Sequence, residues 1–349
     1  MRRTIALLAA AAGCLALTAS ASADSIAYIK GHDVWKATPD GKRQVQLTKG
    51  GGYHAVSQAD DGTMIALTGR ETLVKLSPTG RRLTEFQTYV SDGNKVGVGV
   101  DKFAGPFDPQ ISPDGSKVAF EWYNDTYGAS AGCNESSFPP CYTYRSTKGV
   151  GITYSDRLTD PREFGLLTGW SYPQWIDDAT LMRSYAGVAM NEDAVFQTLQ
   201  PGMDNNKGEL IRRWFHDPDG RDLVDMQLSA DRTKVVGVGG DSDELLRIYR
   251  VLEDPLSKDG ATVMACAQWT NPVGRLADPT FSPDGRRLVW AEEDGIRIAD
   301  APDLSVGCAL GSESRMLIPG GSSPDFGPAD VPAVRKPAKP KKPRRGRAA

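Results

Sequence analysis

Histidine is the residue type best suited to acid–base or metal chemistry near neutral pH, and the chain has three: His32, His54 and His216. His32 falls in the turn GHD between two strand patterns, His54 stands just before another strand pattern, and His216 precedes the turn DPDG. The three could share a metal only if loops from different parts of the chain converged. The sequence favours loop histidines without a catalytic role.

Two further motifs resemble a catalytic and a metal-binding pattern. GASAG from Gly128 matches the G-x-S-x-G pattern of a nucleophile elbow, but the flanking YNDTY and CNESSFPPC are loop-like, whereas the elbow needs a strand before it and a helix after it. DPDGRD from Asp217 has the alternation of a calcium loop without the later glutamate. We interpret the first as a chance match and the second as an outer hairpin turn. We therefore expect no catalytic residue, no cofactor and no metal.

The N-terminus predicts export. Arg2 and Arg3 precede the apolar run IALLAAAAGCLALTA, which ends in Ala21-Ser22-Ala23. This is the pattern of a secretory signal peptide over residues 1–23, cleaved after Ala23. A lipidated Cys14 is the alternative, although Ala11 and the apolar LALTA argue against it. No other stretch approaches the roughly 20 apolar residues of a membrane helix, so we expect a secreted or periplasmic protein without a membrane span.

The cysteines agree with an oxidising compartment. Without Cys14 the chain keeps an even number, four. Three pairings are possible. Proximity and the Pro139-Pro140 bend favour Cys133 with Cys141, which leaves Cys266 with Cys308.

Charge is divided between an acidic body and a basic tail. The segment RKPAKPKKPRRGRAA from Arg335 has eight basic residues and no acidic one, and without these and the leader arginines 31 basic residues face 44 acidic ones. Residues 333–349 are too rich in proline and charge to pack, so we expect a disordered tail. It is suited either to an anionic cell-surface polymer or lipid head groups, or simply to solubility. Nucleic acid is a poor expectation for a secreted protein.

A four-residue turn supplies the strongest structural signal. In SPDG, Pro283 presets φ for the second position, Asp284 suits the third, and Gly285 can adopt a positive φ. The strands on either side alternate in polarity, as at Leu288 and Trp290. Together these features predict a β-hairpin.

Related units recur through the chain. They begin YHAVSQADDG, FDPQISPDG, SYPQWIDDA, VDMQLSADR, DPTFSPDG and SPDFGPADV, with successive gaps of 53, 64, 53, 53 and 45 residues. Their turn positions are Asp61, Asp114 (with Gly115), Asp178, Asp231, Asp284 (with Gly285) and Ala329. A period of this length, with several strands per unit and almost no helical pattern, is typical of propeller blades. An all-β sandwich agrees less well with this period, because turns in a sandwich come every 8 to 12 residues without a repeat of blade length.

The two ends of the chain complement each other. The last unit lacks a second strand, while IAYIKGHDVWKAT from Ile26 matches LVWAEEDGIRIAD from Leu288. We expect the N-terminus to supply inner strands that the C-terminal SSPDF strand lacks, which would close the ring and cover its edges. The predicted fold class is an all-β, six-bladed β-propeller of four-stranded antiparallel blades over residues 24–332. We expect a monomer.

SPDGSKVAF, SPDGRRLVW and the DVWKATPDG hairpin resemble the repeats of the TolB-type β-propellers, which are related to WD-type propellers. The resemblance covers residues 25 to about 332. It implies a rigid ring that presents loops to protein partners.

One long gap suggests where a ligand binds. The excess in the 64-residue gap falls within residues 122–149, which include the following aromatic residues: Trp122, Tyr123, Tyr127, Phe138, Tyr142 and Tyr144. A cross-linked aromatic loop offers anchors of the hot-spot type, although it could equally cap the channel. We therefore predict a non-catalytic propeller that binds a protein or cell-envelope ligand through one face. The alternative is a propeller enzyme, a polysaccharide lyase or hydrolase, with a channel metal held by some of the three histidines.

Overall fold

The structure is a computed structural model. It describes residues 24–69, 72–87, 100–129, 142–157, 167–168, 171–184, 194–198, 210–214, 223–239, 244–256, 263–271, 274–304, 307–308 and 312–333. These residues form 24 strands and contain no helix. No helix in this part of the chain is long and apolar enough to cross a membrane.

The strands form six antiparallel sheets of four strands each. The first sheet joins β1 (Ser25–Lys30), β2 (Asp33–Ala37) and β3 (Gln44–Gln46) to β24 (Gly321–Gly327). The second contains β4 (Tyr53–Gln58), β5 (Met64–Thr68), β6 (Thr72–Leu76) and β7 (Arg82–Gln87). The third contains β8 (Val100–Ile111), β9 (Lys117–Ala129), β10 (Tyr142–Tyr154) and β11 (Leu167–Thr168).

The remaining sheets follow the same order. The fourth contains β12 (Ser171–Trp175), β13 (Thr180–Ser184), β14 (Ala194–Thr198) and β15 (Leu210–Arg213). The fifth contains β16 (Leu223–Leu228), β17 (Lys234–Gly239), β18 (Leu245–Val251) and β19 (Val263–Thr270). The sixth contains β20 (Ala277–Phe281), β21 (Arg287–Glu292), β22 (Gly295–Asp300) and β23 (Arg315–Pro319).

One edge strand of each sheet belongs to a closed ring. In chain order, β4, β8, β12, β16, β20 and β24 each contact the next, and β24 contacts β4. We call these six the inner strands. A ring of sheets that meet along their inner strands is a β-propeller, so the predicted all-β propeller fold is confirmed.

The first sheet is shared between the two ends of the described chain. β24 pairs antiparallel with β1, with Ile26 opposite Phe326 and Lys30 opposite Gly321. The predicted closure is confirmed, but the expected roles of the two ends were wrong. The C-terminal strand is itself the inner strand, and the N-terminus supplies the three strands outside it. The reason is that every unit begins with its inner strand, and the last unit keeps that strand alone.

The core lies between neighbouring sheets. Trp290 of the sixth sheet is fully buried in a cluster with Val236 and Leu246 of the fifth, and Tyr28 packs with Val289 across the next junction. Because each sheet is covered on both faces, its central strands bury consecutive residues, as in β17 over Lys234–Gly239. This explains why strict alternation is weak in the central strands.

Side chains fix the turns that end the inner strands. The Asp114 carboxylate accepts hydrogen bonds from Ser112 Oγ (2.6 Å) and from the Ser116 N–H (2.9 Å). Asp231 and Asp284 make the same pair of bonds in their turns. Gly115 and Gly285 have φ of 72° and 65°, which glycine adopts without strain. We call the end of the propeller that carries these turns the turn face, and the other end the opposite face.

The fourth sheet departs from this pattern. Here Asp177 accepts the hydrogen bonds from the N–H groups of Ala179 and Thr180. Asp178, which the repeat assigned to the turn itself, instead accepts a hydrogen bond from the Asp114 N–H of the neighbouring turn at 2.9 Å. The repeat therefore gave the correct place in the chain for this turn but not the role of its carboxylate.

The long gap between units was expected to form a loop from residue 122 to residue 149. In the structure β9 runs on to Ala129 and β10 begins at Tyr142, and the two pair with Trp122 opposite Gly149. The extra residues therefore lengthen a hairpin that leaves the propeller at the opposite face. The segment between its strands, with Cys133, Phe138 and Cys141, lies outside the described residues.

Candidate functional site

The inner strands share an irregularity near their starts. Five residues with positive φ lie at equivalent positions, six residues before the turn position in five of the six units: Asp108, Tyr172, Asp225, Asp278 and Ser323. The register of each of these strands with its neighbour shifts at the same place. Such β-bulges re-aim side chains and recur at functional sites. All five residues line one narrow cavity of about 40 Å³ between the inner strands, which we call the channel.

Four aspartates meet in this channel. Burial raises the pKa of Asp108 to about 6, and burial together with repulsion from Asp108 and Asp325 raises the pKa of Asp278 to about 7. The pKa of Asp325 is raised to about 6, again chiefly by burial. The pKa of Asp225 is also raised, first by burial and then by Asp278. Burial and mutual repulsion of this kind favour the protonated, neutral form of a carboxyl group.

Two residues further along, a polar side chain of five of the six inner strands reaches the next inner strand. The Gln174 amide accepts a hydrogen bond from the Leu228 N–H (2.7 Å), and the Gln227 amide accepts one from the Phe281 N–H. Ser57, Thr280 and Asp325 accept the corresponding bonds from Ile111, Phe326 and Gln58. At Gln110 the main-chain carbonyl accepts the Trp175 indole N–H instead (2.9 Å). This relay of polar contacts runs around the ring and ties its strands together.

A larger cavity opens at the turn face. Its volume is about 530 Å³. Trp175, Phe281 and Phe326, from the ends of three inner strands, supply buried apolar surface. The exposed carboxylates of Asp60, Asp177 and Asp178 and the side chain of Arg232 supply charge. We call this space the turn-face cavity.

Neighbouring negative charges act on one carboxylate of this cavity, that of Asp60. The pKa of Asp60 is raised by burial and then by the negative charges of Asp178 and Asp61. Asp60 is held in place because its N–H donates to the Pro113 carbonyl at 3.0 Å. A positive group entering the cavity would relieve this repulsion, so the electrostatics favour a cationic ligand.

The predicted aromatic site is only partly within the described side chains. Trp122 is buried, with 4 % of its surface exposed, and therefore belongs to the core. Tyr123 is 41 % exposed and stacks on Phe107, with ring centroids 5.3 Å apart and planes 2° apart. The side chains of Tyr127, Tyr142 and Tyr144, and the whole of Phe138, lie outside the described residues.

Two of the three histidines and two of the cysteines lie within the described residues. His32 and His54 lie close together at the opposite face, with ring centroids 6.1 Å apart, and neither lines the channel. His216 and Ser130 lie outside the described residues. Cys266 and Cys308 form a disulfide. Among the described residues, no group of three or more His, Cys, Asp or Glu side chains could hold a metal ion.

Sequence reasoning missed the channel aspartates, although a signal was present. Asp108, Asp225 and Asp278 stand six residues before the turn aspartates of their units, within FDPQIS, VDMQLS and ADPTFS. The same period that located the turns would have aligned these three residues. A single carboxylate at the start of a strand gives no sign of its burial in the sequence, because only the closed ring brings several of them together.

No family model matches this chain, and no curated protein matches it. Solved structures do. An oligogalacturonate lyase from Vibrio parahaemolyticus is 13 % identical, with 77 % of this chain and 68 % of that chain covered and a TM-score of 0.43. A protein described as a TolB from Agrobacterium tumefaciens is 14 % identical over 86 % of this chain and 91 % of that chain, with a TM-score of 0.45. A protein described as a 6-phosphogluconolactonase from Bacteroides fragilis is 10 % identical over 88 % and 98 %, also at 0.45. Similarity at this level gives no information about function. The fold is established by the order of the strands in the sheets of this chain.

Proposed function

We propose that this protein is an extracytoplasmic, non-catalytic propeller that binds a protein ligand at its turn face. The observation that carries the proposal is the turn-face cavity, where buried aromatic rings and exposed carboxylates meet in one concave site. Its volume of about 530 Å³ falls within the range of about 300–1,000 Å³ typical of ligand sites.

The chemistry of the cavity defines the ligand class. Trp175 and Phe281 offer aromatic surface for an apolar side chain. Among the described residues that line the cavity, Asp60, Asp177 and Asp178 outnumber the one basic residue, Arg232. A polypeptide segment with a lysine or arginine beside an apolar residue satisfies both features. Such a segment would gain hydrophobic contact and charge complementarity together.

The rim of the cavity is already ordered. Asp231 accepts hydrogen bonds from Ser229 Oγ (2.6 Å) and the Thr233 N–H (3.1 Å) next to the cavity-lining Ala230, and Asp178 is bound to the neighbouring turn. A rim fixed in this way loses little conformational entropy when a ligand binds. This supports binding as the role of the turn face.

Peptide display on the purified chain would test the proposal. Selected peptides should carry a basic residue next to an apolar one, and Asp60→Lys with Asp178→Lys should weaken their binding at least about tenfold, which corresponds to about 1.4 kcal/mol. Glu293→Lys is the matched control, because Glu293 is exposed in the β21–β22 turn at the opposite face. Binding that survives the cavity substitutions but is lost when residues 123–147 are shortened would place the site on the long hairpin instead.

Two supporting roles belong to the ends of the chain. The Cys266–Cys308 disulfide supports an oxidising compartment. Because the leader pattern predicts cleavage after Ala23, N-terminal sequencing of the exported protein should begin at Asp24. The basic tail is proposed to attach the protein to an anionic cell-surface polymer or lipid. Removing residues 333–349 should then abolish co-sedimentation with vesicles of anionic lipid while leaving peptide binding at the turn face unchanged.

A further inference from the structure

Two imidazole rings from neighbouring sheets lie side by side at the opposite face. His32 lies in the turn between β1 and β2, and His54 is the second residue of β4. Both side chains are exposed. Their ring centroids are 6.1 Å apart and their planes are inclined by 80°, so the rings are not stacked on each other.

The backbone that carries these rings is held by Asp33. Its carboxylate accepts hydrogen bonds from Thr48 Oγ1 (3.0 Å) and from the N–H groups of Gly50 (3.1 Å) and Gly51 (3.2 Å). These bonds attach the segment that leads into β4 to the residue that follows His32. The Tyr53 N–H also donates to the His32 carbonyl at 2.9 Å. The two histidines are therefore positioned by the fold, although they are 22 residues apart in sequence.

The separation of the rings suits a shared metal ion. A Zn²⁺–imidazole bond is about 2.0–2.1 Å long. Since the ring centre lies roughly 1.2 Å behind the bonded nitrogen, two imidazoles on one ion have centroids at most about 6.5 Å apart, and about 5.3 Å apart at a tetrahedral angle. The observed 6.1 Å lies between these values. Because the rings are arranged edge to face, at least one of the two exposed side chains has to rotate before a nitrogen of each ring reaches the same ion.

We propose that His32 and His54 form a two-imidazole site for a divalent transition-metal ion of the Cu²⁺, Ni²⁺ or Zn²⁺ class. Imidazole is a preferred ligand of these ions, and Cu²⁺ binds most tightly among them. The remaining coordination positions take water or a donor from another molecule. The site lies at the face away from the turn-face cavity and does not depend on the proposed peptide binding.

Metal titration of the untagged full chain tests this proposal. We expect one Zn²⁺ per chain by isothermal titration calorimetry, and a Cu²⁺ electron paramagnetic resonance spectrum with coupling to two imidazole nitrogens. The variants are His32→Asn and His54→Gln. Asparagine is chosen because residue 32 has φ of 61°, which asparagine tolerates. His216→Gln is the matched control, and thermal unfolding verifies that each variant is folded.

Each single variant should lower the Zn²⁺ affinity at least about tenfold, because even residues that only support a ligand contribute about 10–100-fold. The two-nitrogen coupling should be lost in both variants and kept in His216→Gln. The proposal is overturned if the unsubstituted chain binds no Zn²⁺ at this site, if either folded variant binds with unchanged affinity, or if only His216→Gln weakens binding. None of these outcomes depends on whether a peptide binds at the turn face.

Discussion

Gln58 and Asp325 close the ring, although 267 residues separate them. The Gln58 N–H donates to the Asp325 carboxylate at 2.6 Å, and its side-chain amide donates to the Asp325 carbonyl at 2.6 Å. The same amide also donates to the Ser25 carbonyl at 3.0 Å. One side chain of the second sheet therefore binds both ends of the described chain.

Replacing Asp325 with alanine should weaken this closure. The Gln58 N–H would lose its acceptor in a largely buried position, which costs about 1–3 kcal/mol. Urea unfolding of Asp325→Ala should show that loss, whereas Asp330→Ala, at an exposed position five residues later, should stay close to the unsubstituted protein. Equal stabilities of the two variants would show that this contact contributes little to closure.

Stability should depend on pH through the channel aspartates. Asp278 and Asp325 have pKa values of about 7 and about 6, raised above the ordinary 3.8 chiefly by burial. The folded state thus binds their protons more tightly than the unfolded chain. Their contribution to stability is full below about pH 4 and is lost as the pH rises through 6 to 7.

The turn aspartates act in the opposite direction. The pKa values of Asp114, Asp231 and Asp284 are lowered by hydrogen bonds that outweigh burial, so their contribution is lost as the pH falls below the ordinary value. The melting temperature should therefore be highest near about pH 5 and should fall towards pH 8. Asp278→Asn, which keeps the shape and tolerates a φ of 50°, should flatten the fall. A melting temperature that rises from pH 5 to pH 8 would contradict this assignment.

The polar relay can be tested at Gln227. Gln227→Met keeps the size of the side chain but removes the acceptor for the Phe281 N–H and the donor to Thr280 Oγ1 (3.1 Å). Because Phe281 is only 5 % exposed, we expect a loss of about 1–3 kcal/mol in the free energy of unfolding. Gln87→Met, at the exposed end of the outer strand β7, is the control. A loss in the control as large as that in Gln227→Met would remove the special role of the inner strands.

The Cys266–Cys308 disulfide spans a sequence separation of 42 residues. A loop of this length predicts a stabilisation of about 4 kcal/mol through the entropy of the unfolded chain. Cys266→Ser with Cys308→Ser should lower the melting temperature under non-reducing conditions. The effect should exceed that of Cys133→Ser with Cys141→Ser, because the disulfide predicted from the sequence for that pair would enclose a shorter segment. A smaller effect of the 266–308 pair would contradict the chain-entropy estimate.

The sequence was most informative where a local signal repeats. SPDG turns, short strand patterns and a near-constant period depend on neighbouring residues, so they predicted the propeller and its shared sheet. The alternation expected around Leu288 and Trp290 is absent, because that central strand is buried at consecutive residues. The predicted position of the C-terminal strand within the shared sheet was wrong. The similarity between the sequence patterns of the two chain ends does not show which strand lies nearest the propeller axis. The sequence placed Trp122 in a binding loop, because an aromatic residue that packs in a core cannot be told by type from one that anchors a ligand. Only the exposed fraction of its surface in the structure distinguishes the two.

The sequence by itself determined the type of element, the positions of the turns and the repeated unit, since each arises from contacts between residues close in the chain. Only the tertiary structure decided that Asp108, Asp225, Asp278 and Asp325 share one channel, and that His32 lies beside His54. Asp108, Asp225 and Asp278 meet because the ring brings equivalent positions of different units to the same radius and height, and Asp325 joins them from two positions further along its own inner strand. The two histidines meet where the first and second sheets adjoin. A distance between units depends on how the sheets pack around the axis, and no single segment of the sequence encodes it.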